Sequence, residues 1–323
     1  MSFMRYMGWG EMKNIFLNSI YYFAEQGKKI GVNREKLKSV LFPMYRLFCA
    51  IQYKCFDNIY LYHVEIPVTQ RCTLRCKDCS FMMPYFEHPK DYDVNELLKY
   101  MDRLFECVDT IQIFRILGGE PFVYKDLNLI IEKALSSKKV RTVDIVTNGT
   151  IVPTDRILDS MRTGKVTVQI SDYGDISFKK KELLNACNSR GIKCVIRSMA
   201  DKNWFTAGDL HFRGKIARDL KAQLKKCAGI CRSFQNGKLY FCPRASFGTL
   251  LGIPDPAKDY VDFTKECDKQ TLRQQIYELN QRKGFLACNY CDEGTDKYMP
   301  IPPAEQISEK SQIEKWREKI GKA

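Results

Sequence analysis

Between about residues 60 and 200, short apolar runs rich in Val and Ile alternate with stretches whose apolar residues recur every three or four positions. The first pattern suits buried strands and the second amphipathic helices. Strands are expected over 59–68, 110–117, 140–147, 165–171 and 193–199, with helices over 94–105, 127–135, 154–162 and 179–190. Such alternation implies βαβ units, hence an α/β fold around a parallel sheet. Ligands of parallel α/β folds sit at the C-terminal edge of the strands. Cys72, Gly118 to Glu120, Asn148, Ser171 and Arg197, each at or near such an edge, are therefore expected on one rim. Five strands before residue 200 are too few for a closed eight-stranded barrel, so a partial barrel is expected.

The flanking texture differs. Residues 1–58 read as a helical extension, with helices over 13–25 and 34–54 separated by Gly27 and Gly31. A core region of 59–222 gives way to a region, 223–299, where cysteines cluster and helical periodicity fades. Asn236-Gly237 predicts a hairpin turn leading into an arm over 238–241, and 271–281 reads as a helix. Residues 300–323 form a tail, with a charged helix over 308–320.

The formal charge of +14 suggests an anionic partner (nucleic acid, a phosphorylated metabolite or a membrane surface) without discriminating among them, and the scattered charges read first as solvated faces and second as phosphate recognition. Lys and Arg are scattered rather than interleaved with aromatics, so nucleic acid is disfavoured. No stretch reaches the roughly 18 apolar residues of a membrane span. The nearest, 40–51, is broken by Pro43 and Arg46 and reads as a helix packed on the main domain. Fourteen cysteines in a 323-residue chain without a leader-like start imply reduced thiols in the cytoplasm, some of them binding metal.

The segment Cys72-Thr-Leu-Arg-Cys76-Lys-Asp-Cys79 follows the first strand. Three soft donors in one loop suit an iron–sulfur cluster or zinc. On a four-iron cluster they leave one iron without a protein ligand. This C-x3-C-x2-C loop resembles the hallmark of the radical SAM superfamily. The resemblance implies a partial (β/α)6 TIM-like barrel and a [4Fe-4S] cluster on which S-adenosyl-L-methionine is reductively cleaved to a 5′-deoxyadenosyl radical, with flavodoxin or ferredoxin as electron donor. Gly118-Gly119-Glu120-Pro121 resembles the family's GGEP motif, with Glu120 implied to accept from the methionine ammonium. Asn148, Ser171 and Arg197 resemble further cofactor contacts. Asp78 stands where the family often has an aromatic residue; its backbone is implied to contact adenine, with aromatic cover from Phe81.

In the C-terminal region, Cys227 and Cys242 are spaced C-x9-G-x4-C around Gly237, and Cys288 and Cys291 form C-x2-C. This resembles the auxiliary region of SPASM and twitch proteins. The shorter twitch form fits better, implying a second [4Fe-4S] cluster held by Cys227, Cys242, Cys288 and Cys291, with Cys231 as a substitute for Cys227. Zinc bound by four cysteines is the alternative. Cys49, Cys55, Cys107, Cys187, Cys194 and Cys267 read as core or surface thiols.

An auxiliary cluster suits oxidation of a carbinol. The expected activity is thus dehydrogenation or epimerisation of a hydroxylated small molecule: a sugar, cyclitol or nucleotide-sugar. For epimerisation Cys231, Tyr173 and Tyr240 are candidate hydrogen donors. Peptide or protein modification is the second reading, and a non-catalytic zinc or nucleic-acid-binding protein the third.

Overall fold

Strand β1 (Tyr60–Pro67) lies near the middle of one sheet, and the chain builds outward from it on both sides. The structure is a computed structural model that describes residues 34–199, 204–227, 229–253 and 259–307, with side chains described from residue 40 onward. The expected helices over 13–25 and 308–320 lie outside the described residues.

Strands β2 (Thr110–Leu117), β3 (Val140–Thr147), β4 (Val166–Asp172) and β5 (Lys193–Ser198) add in sequence order to one edge of β1, all parallel. The sixth parallel strand, β6 (Cys231–Gln235), does not continue beyond β5. It pairs with the free edge of β1, with His63 opposite Cys231 and Glu65 opposite Ser233. Two short antiparallel strands follow, β7 (Lys238–Tyr240) and β8 (Tyr260–Asp262), giving the order β5-β4-β3-β2-β1-β6-β7-β8. The fold is α/β with a mostly parallel, partial TIM-like core, and the sheet is not closed. The sixth strand lies inside the stretch expected to form the auxiliary region.

The described α-helices are α1 (Arg34–Phe56), α2 (Val94–Cys107), α3 (Leu127–Ser136), α4 (Asp155–Ser160), α5 (Lys180–Asn188), α6 (Ala217–Cys227), α7 (Pro243–Leu250) and α8 (Lys269–Gln281). Helix α2 shows how local sequence sets the bounds. The Asp93 side chain accepts from the Glu96 amide at 3.0 Å, capping the first turn, and Leu97, Met101, Leu104 and Phe105 fall on one buried stripe. Helix α1 buries Phe42, Tyr45, Phe48 and Cys49 against the main domain and leaves Val40, Met44, Leu47 and Ile51 exposed. No described helix is long and apolar enough to cross a membrane.

Strand alternation divides the sheet by chemistry. Val64, Ile66, Phe114, Ile116, Val143, Ile145, Val168 and Ile170 join the core that the helices cover. Glu65, Arg115, Asp144 and Gln169 point to the other face; Glu65 is register-paired with Arg115, and Arg115 with Asp144. The concave face is therefore polar. At the far end, Asn236 (φ 49°) and Gly237 (φ 68°) make the left-handed turn expected between β6 and β7.

Candidate active site

The chain leaves β1 at Pro67 and enters the cysteine loop, which docks on the end of β2. The amide of Gly119 donates to Thr69 O and that of Glu120 to Arg71 O, both at 2.9 Å. A Cβ on Gly119 would stand 2.2 Å from Arg71 O and 2.7 Å from Cys72 Cβ, and one on Gly118 2.6 Å from Thr69 O. The glycine pair is thus required by the close approach of the cysteine loop itself.

Glu120 is fully buried and joins the ends of β2 and β3. Its carboxylate accepts from the amides of Phe122 (3.1 Å) and Asn148 (2.8 Å) and from the Thr147 hydroxyl (2.9 and 3.0 Å). Burial pushes this carboxyl up to about 7, against the lowering by those donors. In this arrangement Glu120 clamps two strand ends, in addition to any contact with a ligand. Asn148 carries the clamp to the loop: its Nδ2 lies 2.9 Å from Thr73 Oγ1 and 3.7 Å from Cys72 Sγ, while its Oδ1 accepts from the Thr150 amide and hydroxyl. Thr73, Thr147 and Thr150 were not singled out by sequence; hydroxyls beside a motif give no spacing signal.

Within the loop, the Cys79 amide donates to Cys76 O (3.2 Å) and the Met82 amide to Cys79 O (2.8 Å), coiling the chain around the three thiols. Burial pushes Cys72 up to about 12 and Cys76 to about 11, and raises Cys79; the neighbouring cysteines raise the first two further. A metal must displace protons from thiols that are otherwise neutral. The tail also contributes. The Ile307 amide donates to Arg75 O, the Lys77 amide to Glu305 O, and Gln306 spans from the Arg75 amide (2.7 Å) to Cys76 Sγ (3.4 Å). Residues 304–307, expected only as part of the tail, strap the loop.

The other expected contacts are spread around this centre. Asp78 accepts from Thr206 Oγ1 at 3.0 Å and helps line a cleft of about 180 Å³ beside Cys79, Tyr85 and Arg244. Phe81 meets the edge of Phe247, ring centroids 5.3 Å apart, in a small apolar cluster that includes Met82 and Met83. Ser171 is half-buried at the end of β4, with its carbonyl accepting from Ser177 Oγ. Arg197 stands opposite Ser171 in register on β5, exposed. Tyr173 was weighed only as a hydrogen donor. Its ring lies against Trp204 at 5.3 Å, and its hydroxyl is raised by burial against the lowering hydrogen bond with Ser171, with Cys76, Cys79 and Cys72 adding to the rise.

The second cysteine group gathers around the end of α6. Burial raises Cys242, Cys288 and Cys291, and the charges of Cys288 and Cys291 act on Cys242. Lys215 Nζ donates to Cys288 O (3.1 Å) and Cys291 O (2.7 Å), and Gln223 Nε2 to Cys291 O (2.9 Å). Gly294 (φ +81°) lets this loop press on α6: a Cβ there would lie 2.9 Å from the Cys227 amide nitrogen. Cys231 goes elsewhere. On β6 it hydrogen-bonds with Glu65 on the concave face, while Cys227 ends the preceding helix. Tyr240 is buried beside Tyr260, away from the first loop's contacts. Cys49, Cys107 and Cys187 are buried and Cys55 is exposed.

Among the described residues, the one set of three donors with all its ligand atoms within 4.8 Å of one another is His63, Glu65 and Cys231. The trio Cys72, Cys76 and Cys79 is more widely spread, as donors to three separate irons must be. With the glycine-enforced docking and the all-sulfur donor set, the loop fits an iron–sulfur cluster better than a single ion.

Residues 66–171 match the family model described as the Radical SAM superfamily. GTP 3',8-cyclase of Aliarcobacter butzleri is 32% identical over 314 residues, covering 80% of this chain and 92% of that one. GTP 3',8-cyclase of Campylobacter jejuni (strain RM1221) is 36% identical over 92 residues, so the match spans 27% of that relative's length. Among solved structures, BtrN in complex with AdoMet and 2-DOIA is 14% identical, with TM-score 0.43, covering 77% of this chain and 100% of that one. SuiB of Streptococcus suis bound to S-adenosylmethionine is 15% identical, with TM-score 0.36, covering 55% and 38%. A relative aligned along four-fifths of the chain, together with the loop and strand ends just described, makes this protein a member of the radical SAM superfamily, with a [4Fe-4S] cluster and S-adenosylmethionine as its cofactors.

Proposed function

We propose that the chain abstracts hydrogen from a hydroxylated, anionic small molecule lying on the concave face of the sheet. Cys72, Cys76 and Cys79 would hold the first cluster, and Cys227, Cys242, Cys288 and Cys291 a second. When bound, the first would supply the electron for reductive cleavage of S-adenosylmethionine, and the second would serve as an electron acceptor for oxidation of the substrate. Flavodoxin or ferredoxin is the proposed donor. Residues 59–222 would form the catalytic core and 223–299 the auxiliary region, with β6 shared between them in space.

The observation that carries this reading is the placement of polar groups. Strand β1 leads into the cysteine loop and also presents Glu65 to the concave face, beside Arg115, Asp144 and Gln169. Gln169 Nε2 donates to Asp144 at 2.5 Å and Arg115 Nη2 at 3.2 Å, so the row is fixed before any ligand arrives. Such a face suits hydroxyls better than an apolar substrate. The Glu120 clamp and Asn148 would hold the cofactor end, and the Tyr173–Trp204 pair would exclude water on one side.

Dehydrogenation and epimerisation remain the reactions proposed for this face. Cyclisation of GTP is the second reading, favoured by the likeness to the GTP 3',8-cyclase of Aliarcobacter butzleri. The reduced protein is to be incubated anaerobically with S-adenosylmethionine and either GTP or a panel of deuterated sugars and cyclitols. Substrate-dependent 5′-deoxyadenosine carrying deuterium from a carbinol carbon supports the first reading, and a cyclised nucleotide supports the second. Release that no hydroxylated substrate or nucleotide stimulates would sink both.

A further inference from the structure

We infer that His63, Glu65 and Cys231 form a binding site for a single divalent transition-metal ion, zinc by its donor set, in the wall of the concave face. The inference rests on the reading of that face as the substrate site.

The sheet register brings the donors together. Glu65 follows His63 by two residues on β1, so both point to the same face, and Cys231 on β6 is paired with His63 across the ladder. Their donor atoms all lie within 4.8 Å of one another. His63 Nε2 is 3.6 Å from Glu65 Oε1, too far for a good hydrogen bond. Two ligands of one tetrahedral zinc, with bonds of about 2.0–2.2 Å, are separated by roughly 3.4 Å. The spacing is that of co-ligands rather than of a hydrogen-bonded pair.

Two atoms of this group are buried without a partner: His63 Nε2 and Glu65 Oε2. The residues are 8% and 5% exposed. Leaving such atoms unpaired is costly, the more so for a charged group. An ion held by His63 Nε2 and by both oxygens of the Glu65 carboxylate satisfies the two at once.

The neighbouring charges are arranged to permit it. Arg115 Nη1 is 3.5 Å from Glu65, but its Nη2 is 3.2 Å from Asp144, which balances the guanidinium. The remaining carboxylate and a Cys231 thiolate match a divalent ion in charge. On binding, Cys231 releases its proton to solvent and Sγ bonds the metal; no electron is transferred. A carboxylate, an imidazole and a thiolate together select a borderline ion such as zinc over magnesium or calcium. Three protein ligands leave a fourth position for water or an oxygen of the substrate, the arrangement of catalytic rather than structural zinc sites. The class of ligand there is a hydroxyl or carbonyl oxygen, held as a Lewis base.

The test is zinc itself. The full chain, purified anaerobically with its iron and supplied with zinc, should hold about one zinc per chain, and zinc-edge X-ray absorption should show one sulfur among nitrogen and oxygen neighbours. Cys231→Ser and His63→Gln should each lower zinc retention at least tenfold with iron content unchanged. Zinc surrounded by four sulfurs, zinc retained in Cys231→Ser, or no zinc at all overturns the inference. Should His63→Gln fail to fold, the near-isosteric Cys231→Ser still decides. Iron content and S-adenosylmethionine cleavage report separately on the radical SAM reading, so either proposal can fail alone.

Discussion

Gln306 Nε2 lies 3.4 Å from Cys76 Sγ, and the Gln306 Oε1 accepts from the Arg75 amide at 2.7 Å. One side chain from the tail therefore both fixes the loop backbone and donates to a thiol sulfur. Hydrogen bonds to cluster sulfurs raise the reduction potential. Gln306→Ala should shift the midpoint of the first cluster to a more negative value and speed iron loss in air. Redox titration by electron paramagnetic resonance reads the first effect, and an unchanged midpoint would show that Gln306 does not reach the cluster.

Gly119 and Gly164 form a matched pair for substitution. A Cβ at Gly119 meets Arg71 O at 2.2 Å, whereas one at Gly164 meets nothing within 4 Å. Gly119→Ala should cost about 1–3 kcal/mol of stability and lower the iron bound by the first loop. Gly164→Ala should stay within about 0.5 kcal/mol of the parent. Denaturant unfolding and iron analysis of both variants provide the comparison.

Cys227 and Cys231 should behave differently, although they are only four residues apart. Helix α6 ends on the first and strand β6 starts on the second. Cys227→Ser should reduce iron from about eight to about four per chain, since a closed four-iron cluster needs all four of its ligands. Cys231→Ser should keep the full complement. Equal losses in the two variants would contradict the proposed ligand set.

Glu120 gives a pH dependence whose sign is opposite to that of a salt-bridged carboxylate. Burial raises its folded-state value to about 7 from the ordinary 4.5. The folded protein therefore keeps this proton while the unfolded chain loses it, and stability falls as pH rises through that window. The loss is complete above about pH 7 and amounts to roughly 3 kcal/mol at most. Glu120→Gln removes the titration, so the stability of the variant minus that of the parent should rise between pH 5.5 and 7.5. Urea unfolding at several pH values measures that difference; a flat difference means that Glu120 is ionised throughout.

Much of the core was legible because it depends on local pattern. β2 and β3 begin and end where the apolar runs do, and the loop containing Cys72, Cys76 and Cys79 follows its strand as expected. The rest depends on pairing across long separations. Nothing in Cys231 to Gln235 says that it joins β1 rather than extending β5. The sequence leaves Cys231 as a substitute for Cys227; the change from helix to strand between them makes them different. His63 and Glu65 have a faint signal, two ionisable residues at i and i+2 in a strand otherwise apolar. Period-two alternation tells that they share a face, but not that the face is the interior of a partial barrel.

The strap has a consequence for how this protein is made. Gln306 is joined to the peptide chain 230 residues after Cys76. Until it emerges from the ribosome, the cysteine loop lacks its tail-side hydrogen bonds, even though all three thiols have long been synthesised. Metal insertion during translation would meet a looser loop than insertion afterwards, and residues 304–307 would serve to latch the centre once it is filled.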